Sequence, residues 1–281
     1  MVRRLGVHTS IAGGLHKSLL RAKALGCNTV QIFSHNPRGW AVNPISEEEI
    51  SLFKSLRSHL GISPVYIHSS YLINVTSMDM SIRKNSLDLL VLEMERADAI
   101  GADYVILHPG SASGQDIRIS LRNAIDALHE VALRGRWRAG LLLENTAGEK
   151  GDISSTIGNL AEIVQGVKEP LIGGVCIDTC HAFAAGYNLS IGKGVKEISQ
   201  QIREYIGHDR LKLIHLNDSK GTVGSCIDRH EHIGIGKIGT EGLRRFLNHQ
   251  SFRNVPLILE TPKKSEKDDY ENLSKVRRMI K

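Results

Sequence analysis

Short runs of apolar and β-branched residues alternate with longer segments of helical period from one end of the chain to the other. Eight of the short runs read as strands: Leu5–His8, Thr29–Phe33, Val65–His68, Tyr104–His108, Leu141–Glu144, Gly174–Asp178, Leu211–His215 and Leu257–Glu260. Their last residues lie 25 to 45 positions apart, which leaves room each time for a loop, a helix and the next strand. The intervening segments carry helix signals. Ser46 before Glu47, Glu48 and Glu49 predicts a cap and an acidic first turn for a helix running toward His59, and Gly61 stops it. Asn85 to Ile100 places Leu89, Leu92 and Ala99 on apolar positions, with Gly101 behind; Thr156–Val167, Val195–Ile206 and Glu241–Leu247 follow the same pattern. Strands alternating with helices predict a parallel sheet with right-handed crossovers. Eight repeats predict closure into a (β/α)8 TIM barrel, one domain over residues 1–281. An open doubly wound sheet would usually carry a glycine-rich phosphate loop after its first strand, and Ala12-Gly13-Gly14 does not fit that fingerprint.

Composition narrows the class. No run of apolar residues is long enough for a membrane span, and Met1-Val2-Arg3-Arg4-Leu5 lacks the apolar core of a secretory signal. Cys27, Cys176, Cys180 and Cys226 form no CxxC pair and no disulfide framework, so the expected compartment is a reducing cytoplasm with the cysteines as small core residues. The formal charge of +6 favours a polyanionic partner without identifying one.

The candidate chemistry sits at the strand ends, where barrels of this kind carry their active sites. Those ends hold His8, His68, His108, Glu144, Asp178, His215 and Glu260, and His181, Asp228 and His230 follow close behind. Runs such as Leu141-Leu142-Leu143 and Leu257-Ile258-Leu259 finish in a carboxylate, and an unpaired charge at the end of a core strand is costly. A ring of such groups asks for a common counter-charge, which metal ions supply. Imidazole with carboxylate suits zinc, manganese or iron. Five imidazoles (His68, His108, His181, His215, His230) and four carboxylates (Glu144, Asp178, Asp228, Glu260) exceed one tetrahedral ion; with a bridging carboxylate they suffice for two or three. Asp178 and His181 are three residues apart where strand turns to helix, and Asp228 and His230 share a side of an extended loop rich in glycine. Histidines outside this set (His16, His35, His59, His129, His208, His232 and His249) read as surface or hydrogen-bonded core residues. His8 reads as a partner of the ligands or a substrate contact. Asp152, Asp209 and the charges from Lys263 to Asp269 read as solvated surface.

Several segments together resemble the endonuclease IV family of abasic-site endonucleases: Gly6-Val7-His8-Thr9-Ser10-Ile11-Ala12-Gly13-Gly14, His68-Ser69-Ser70-Tyr71-Leu72-Ile73-Asn74, Leu143-Glu144-Asn145-Thr146-Ala147-Gly148, Cys176-Ile177-Asp178-Thr179-Cys180-His181, His215-Leu216-Asn217-Asp218-Ser219-Lys220 and Asp228-Arg229-His230-Glu231-His232-Ile233-Gly234. The resemblance covers nearly the whole chain. It implies three zinc ions, replaceable by manganese: one held by His68, His108 and Glu144, a second sharing Glu144 and adding Asp178, His215 and Glu260, a third on His181, Asp228 and His230. It implies Glu144 and Glu260 as catalytic groups and hydrolysis 5′ to the abasic sugar of double-stranded DNA in base excision repair, leaving a 3′-hydroxyl, by a monomeric protein. In the loop His35-Asn36-Pro37-Arg38-Gly39-Trp40, Arg38 matches the side chain that enters the base stack, and Tyr71 matches a second one. Gly39 stands where some relatives carry a longer polar residue. Two other readings compete. A metal-dependent sugar isomerase or epimerase on a similar barrel would need fewer ions and a small closed pocket. A barrel that binds nucleic acid without cutting it would not need an intact ligand set.

Overall fold

The structure is a computed structural model describing residues 3–112, 114–149 and 151–281. In chain order its elements are β1 (Leu5–Val7), α1 (Leu15–Ala24), β2 (Val30–Ile32), α2 (Glu47–Leu60), β3 (Val65–His68), α3 (Met80–Ile100), β4 (Tyr104–Leu107), α4 (Ile117–Arg134), β5 (Gly140–Glu144), α5 (Ile157–Gly166), β6 (Ile172–Asp178), α6 (Thr179–Ala184), α7 (Gly192–Gln201), β7 (Leu211–His215), β8 (Asp218–Ser219), β9 (His230–Glu231), α8 (Gly239–Asn248), β10 (Leu257–Leu259) and α9 (Glu266–Met279). Eight of the strands pair in parallel in the order β1-β10-β7-β6-β5-β4-β3-β2. The two ends of that sheet meet through a parallel bridge between His8 and Gln31, so the sheet closes into the expected TIM barrel. No helix among the described residues is long and apolar enough to cross a membrane.

All eight strand candidates are strands, with ends that differ by one or two residues, as hydrogen-bond assignments commonly do. The helices differ more. Ser46 caps α2 through the Glu49 N–H, and Gly61 closes it in the left-handed region at φ 66°. α3 begins at Met80, five residues before Asn85, because Asp79 accepts hydrogen bonds from Ser81 and Ile82 and so starts the helix there. The segment expected to be one helix from Val195 to Ile206 is α7 followed by a wider π-turn over Ile202–Ile206. β8 and β9 pair antiparallel and pin the loop that carries Asp228 and His230.

The period of two along the strands positions the site. Tyr66, Ile106, Leu142, Cys176, Leu213 and Ile258 form a buried layer inside the barrel. Two residues further along the same strands stand His68, His108, Glu144, Asp178, His215 and Glu260, facing the same way. The intermediate residues Ile67, Leu107, Leu143, Ile177, Ile214 and Leu259 belong to the larger core packed outward. The polar ring is thus the top layer of a filled barrel. Gly6 lets β1 approach β2 closely: a Cβ there would lie 2.1 Å from the Thr29 carbonyl oxygen.

Candidate metal centre

Glu144 is fully buried at the end of β5, and its two oxygens face different imidazoles. Oε2 is 3.2 Å from His108 Nε2 and 3.5 Å from His68 Nε2, while Oε1 is 2.7 Å from His215 Nδ1 and 3.6 Å from His181 Nδ1. His215 Nδ1 is also 3.2 Å from Glu260 Oε2. On the far side, His181 Nε2 is 3.2 Å from Asp228 Oδ1, and His230 Nε2 is 3.5 Å from both Asp228 Oδ1 and Asp178 Oδ2. Three sets of donor atoms therefore converge: His68 with His108 and Glu144; Glu144 with Asp178, His215 and Glu260; and His181 with His230 and Asp178, which Asp228 joins. All nine sequence candidates meet in one continuous cluster, with Glu144 and Asp178 each shared between two sets.

Local backbone chemistry aims these groups. His68 Nδ1 donates to the Ser69 carbonyl at 2.9 Å, His181 Nδ1 to the Asn145 carbonyl at 2.9 Å, and His230 Nδ1 to the Glu260 carbonyl at 3.0 Å. With Nδ1 donating to the main chain, each Nε2 is turned to the neighbouring carboxylate oxygens. Contacts this close need positive charge between the groups, a second ring proton in the metal-free chain or a bound cation in its place. Glu144 Oε2 and His230 Nε2 are buried without any hydrogen-bond partner, which fits the same need. Asp178 uses Oδ1 to cap α6 through the His181 N–H, leaving Oδ2 for the cluster and for Asn217 Nδ2 at 2.6 Å. The donor set fits divalent zinc or manganese.

Electrostatics in the metal-free chain follow the same layout. Burial opposes the charge on Glu144, but the His215 and His108 imidazoles overcome it and hold the carboxyl well below its usual range. Burial likewise disfavours charge on Glu260, and His215, His8 and His68 outweigh it. Burial disfavours a charged His181, yet Asp178, Asp228 and Glu144 push it well above the usual imidazole value. His8, at the edge of the cluster, is shifted down chiefly by burial, which keeps it neutral.

The loops expected to meet a substrate lie at this same mouth. Arg38 is exposed, its N–H bonded to Asn36 Oδ1 at 3.1 Å, and Tyr71 is exposed with its ring 5.3 Å from that of Phe33 and 6.2 Å from that of His68. The Ser70 hydroxyl donates to the Pro37 carbonyl at 2.7 Å, tying the two loops together. Beneath them Glu93 of α3, buried, accepts from His35 Nε2 at 2.7 Å and from the Ser70 N–H at 2.9 Å. Gly39 has room for a side chain, since a Cβ there would meet nothing closer than Asn36 Nδ2 at 3.7 Å.

Three expectations need correction. Asp269 is buried and paired with Lys263 rather than solvated, because α9 presses that face onto the barrel. Asp152 is only partly exposed, its Oδ2 accepting from the Gly148 and Glu149 N–H groups. Cys226 is exposed in the loop before Asp228 instead of in the core. Asn145, Asn217 and Asp218 were missed among the organising residues. Asn145 Oδ1 accepts from the Asp178 N–H at 2.8 Å, and Asn217 Oδ1 from the Glu260 N–H at 2.9 Å, so two amides fix the two carboxylates. The usable signal was a polar pair directly after β5 (Asn145-Thr146) and a polar run starting one residue after β7 (Asn217-Asp218-Ser219).

Comparison with known proteins agrees with this architecture. A family model of the xylose isomerase-like TIM barrel matches residues 19–280, which sets the class. A protein of Halothermothrix orenii named "Probable endonuclease 4" is 42% identical over 276 residues, covering 98% of this chain and 99% of the relative. Its namesake in Methanoculleus marisnigri is 41% identical over 276 residues, 98% of each chain. The crystal structure of endonuclease IV from Thermus thermophilus superposes with a TM-score of 0.86 at 36% identity, covering 99% of this chain and 98% of that one. Within the class, this chain belongs to the endonuclease 4 family. A D-tagatose 3-epimerase-like protein superposes with a TM-score of 0.74 at 20% identity, a likeness of fold alone.

Proposed function

We propose that the protein is a zinc-dependent endonuclease that hydrolyses the phosphodiester 5′ to an abasic sugar in double-stranded DNA, as a step of base excision repair. The observation that carries this reading is the continuous cluster of five imidazoles and four carboxylates joined through Glu144, with Glu144 Oε2 and His230 Nε2 buried and unpartnered. Three divalent ions would be held there by His68, His108 and Glu144, by Glu144, Asp178, His215 and Glu260, and by His181, Asp228, His230 and Asp178. Bound ions would supply Lewis acidity, lowering the pKa of water and offsetting phosphate charge.

The residues of the chain then do the rest. Glu144, with each oxygen turned to a different set, keeps two of the sets in register. Glu260 directs Oε2 into the cluster, where it would hold an ion and orient the attacking water, whose proton passes to solvent. The oxygen of water joins phosphorus, the bond from phosphorus to the 3′ oxygen breaks, and that oxygen takes up a proton to become the 3′-hydroxyl. Arg38 and Tyr71 stand at the rim to enter a duplex where stacking is already lost, since extruding a nucleotide costs least there. Exposed basic residues such as Lys220 and Arg229 favour the phosphate backbone and make binding salt-sensitive. The test is ion stoichiometry combined with nicking of an abasic duplex beside an intact one. Abasic-specific nicking that disappears on chelation and returns with zinc supports the reading. Ketose epimerisation without nicking would transfer the site to sugar chemistry.

A further inference from the structure

Gln31 is buried on β2, turned inward between the outward-facing Val30 and Ile32. Its amide meets three groups of the mouth. Nε2 is 2.6 Å from Glu260 Oε1 and 3.0 Å from His8 Nδ1, and Oε1 is 2.6 Å from His215 Nε2. Only one orientation of the amide satisfies these contacts. An ionised carboxylate can only accept, so the atom facing Glu260 is the NH2 and the atom facing His215 is the carbonyl oxygen. That oxygen can also only accept, so His215 carries a proton on Nε2. Its Nδ1 then faces Glu144 Oε1 at 2.7 Å and Glu260 Oε2 at 3.2 Å. His68, His181 and His230 are the opposite case, with Nδ1 protonated by contact with a main-chain carbonyl and Nε2 aimed inward. His215 points in through Nδ1, and its outer nitrogen finds a side-chain acceptor from a strand 184 residues away.

We propose that Gln31 is a positioning residue of the cation site: one primary amide selects the tautomer of His215 and turns Glu260 Oε2 to the same point, so that both address a single ion. This deepens the metal-dependent reading above and rests on it. Groups that fix the outer nitrogen of a metal-binding imidazole set its orientation and basicity, and losing them typically weakens metal binding about 10–100-fold.

The test compares wild type, Gln31→Met and Gln31→Glu, each stripped and titrated with Zn2+ against a chromophoric chelator. Long-range 1H–15N spectra of the zinc-loaded chains read the His215 tautomer. Wild type should show His215 protonated at Nε2. Gln31→Met, which has similar length but no donor and only a weak thioether acceptor, should bind one ion of its set about 10–100-fold more weakly and show a mixed His215 tautomer. Gln31→Glu should keep the Nε2 proton, because it still offers an acceptor, yet lose affinity by setting a second carboxylate against Glu260 Oε1. A purely structural role would lower thermal stability with ion affinity and tautomer unchanged, and that result overturns the proposal. If Gln31→Met does not fold, Gln31→Glu decides, and wild-type affinity there overturns it equally. A wild-type chain that takes up no ion overturns the metal reading itself, and this proposal with it.

Discussion

Replacing Asp218 with asparagine should unfasten the loop that carries His230. Asp218 is buried in β8, and the segment from Gly234 to Gly239 wraps around its carboxylate. Oδ1 accepts from the N–H groups of Ser219 at 2.9 Å, Ile238 at 3.0 Å and Gly239 at 3.3 Å, and Oδ2 from Gly234 at 3.0 Å and Gly236 at 3.1 Å. The fit admits no side chain at Gly236, whose Cβ would lie 2.5 Å from Asp218 Oδ1. Asparagine keeps one acceptor oxygen and replaces the other with a donor. In the better orientation the NH2 opposes Gly234 and Gly236, so two half-buried N–H groups lose their acceptor. Full burial would make each such loss cost about 1–3 kcal/mol, so the partial exposure of these groups sets the total at no more than about 2–6 kcal/mol, and the three remaining bonds weaken because the acceptor is no longer charged. Against a total stability of about 5–15 kcal/mol the variant still folds, and the loop is the part that gives way. The assay is urea denaturation of the metal-free protein together with ion counting after reloading. The midpoint should fall by the amount above divided by an unchanged slope, and the set containing His230 should hold its ion more weakly. A variant with the wild-type midpoint and full ion occupancy would refute the reasoning.

Three further outcomes are expected. Glu144→Gln and Glu260→Gln should each lower nicking of an abasic duplex by orders of magnitude at saturating zinc; near-normal rates would remove both from catalysis. Arg38→Ala should weaken binding to an abasic duplex in a gel-shift titration while ion content stays at the wild-type value, since Arg38 is exposed at the rim, its N–H bonded to Asn36 Oδ1. Ion uptake should release protons and weaken as pH falls. Burial lowers the affinity of His181 and His215 for a proton, but Asp178, Asp228 and Glu144 around the first, and Cys176, Glu144 and Glu260 around the second, carry both well above the usual imidazole value. In the metal-free chain those rings therefore stay protonated to higher pH, and a cation must displace the proton. A pH-stat titration that records no proton release would contradict this.

The barrel was legible because alternation within strands and spacing between them are local properties of the chain. The six ligands at the strand ends were legible for the same reason: each stands two positions beyond an inward core residue on its own strand. What stayed hidden depends on contacts distant in sequence. α9 was not expected, because its buried face includes Asp269 and Asn272 beside Leu273, Val276 and Met279, so polar residues mask the helical stripe. α4 escaped although Leu121, Ala124, Leu128 and Val131 repeat at helical spacing, because alanine and serine dilute the apolar contrast on that face. Gln31 was legible in part: a polar residue inside Val30-Gln31-Ile32 breaks an otherwise apolar strand. Its partners His215 and Glu260, 184 and 229 residues on, could be identified only by closing the barrel.

Glu93 has a consequence for how the mouth meets a large ligand. A single carboxylate on α3 grips both His35 and the Ser70 N–H, and the hydroxyl of Ser70 grips Pro37 in turn. The segments bearing Arg38 and Tyr71 are therefore two prongs on one stem. Their separation is set when the chain folds, so a duplex bound as proposed would meet a gauge of fixed width, with the ordering cost outside the encounter. A ligand unable to flex to that width would be refused by both prongs at once.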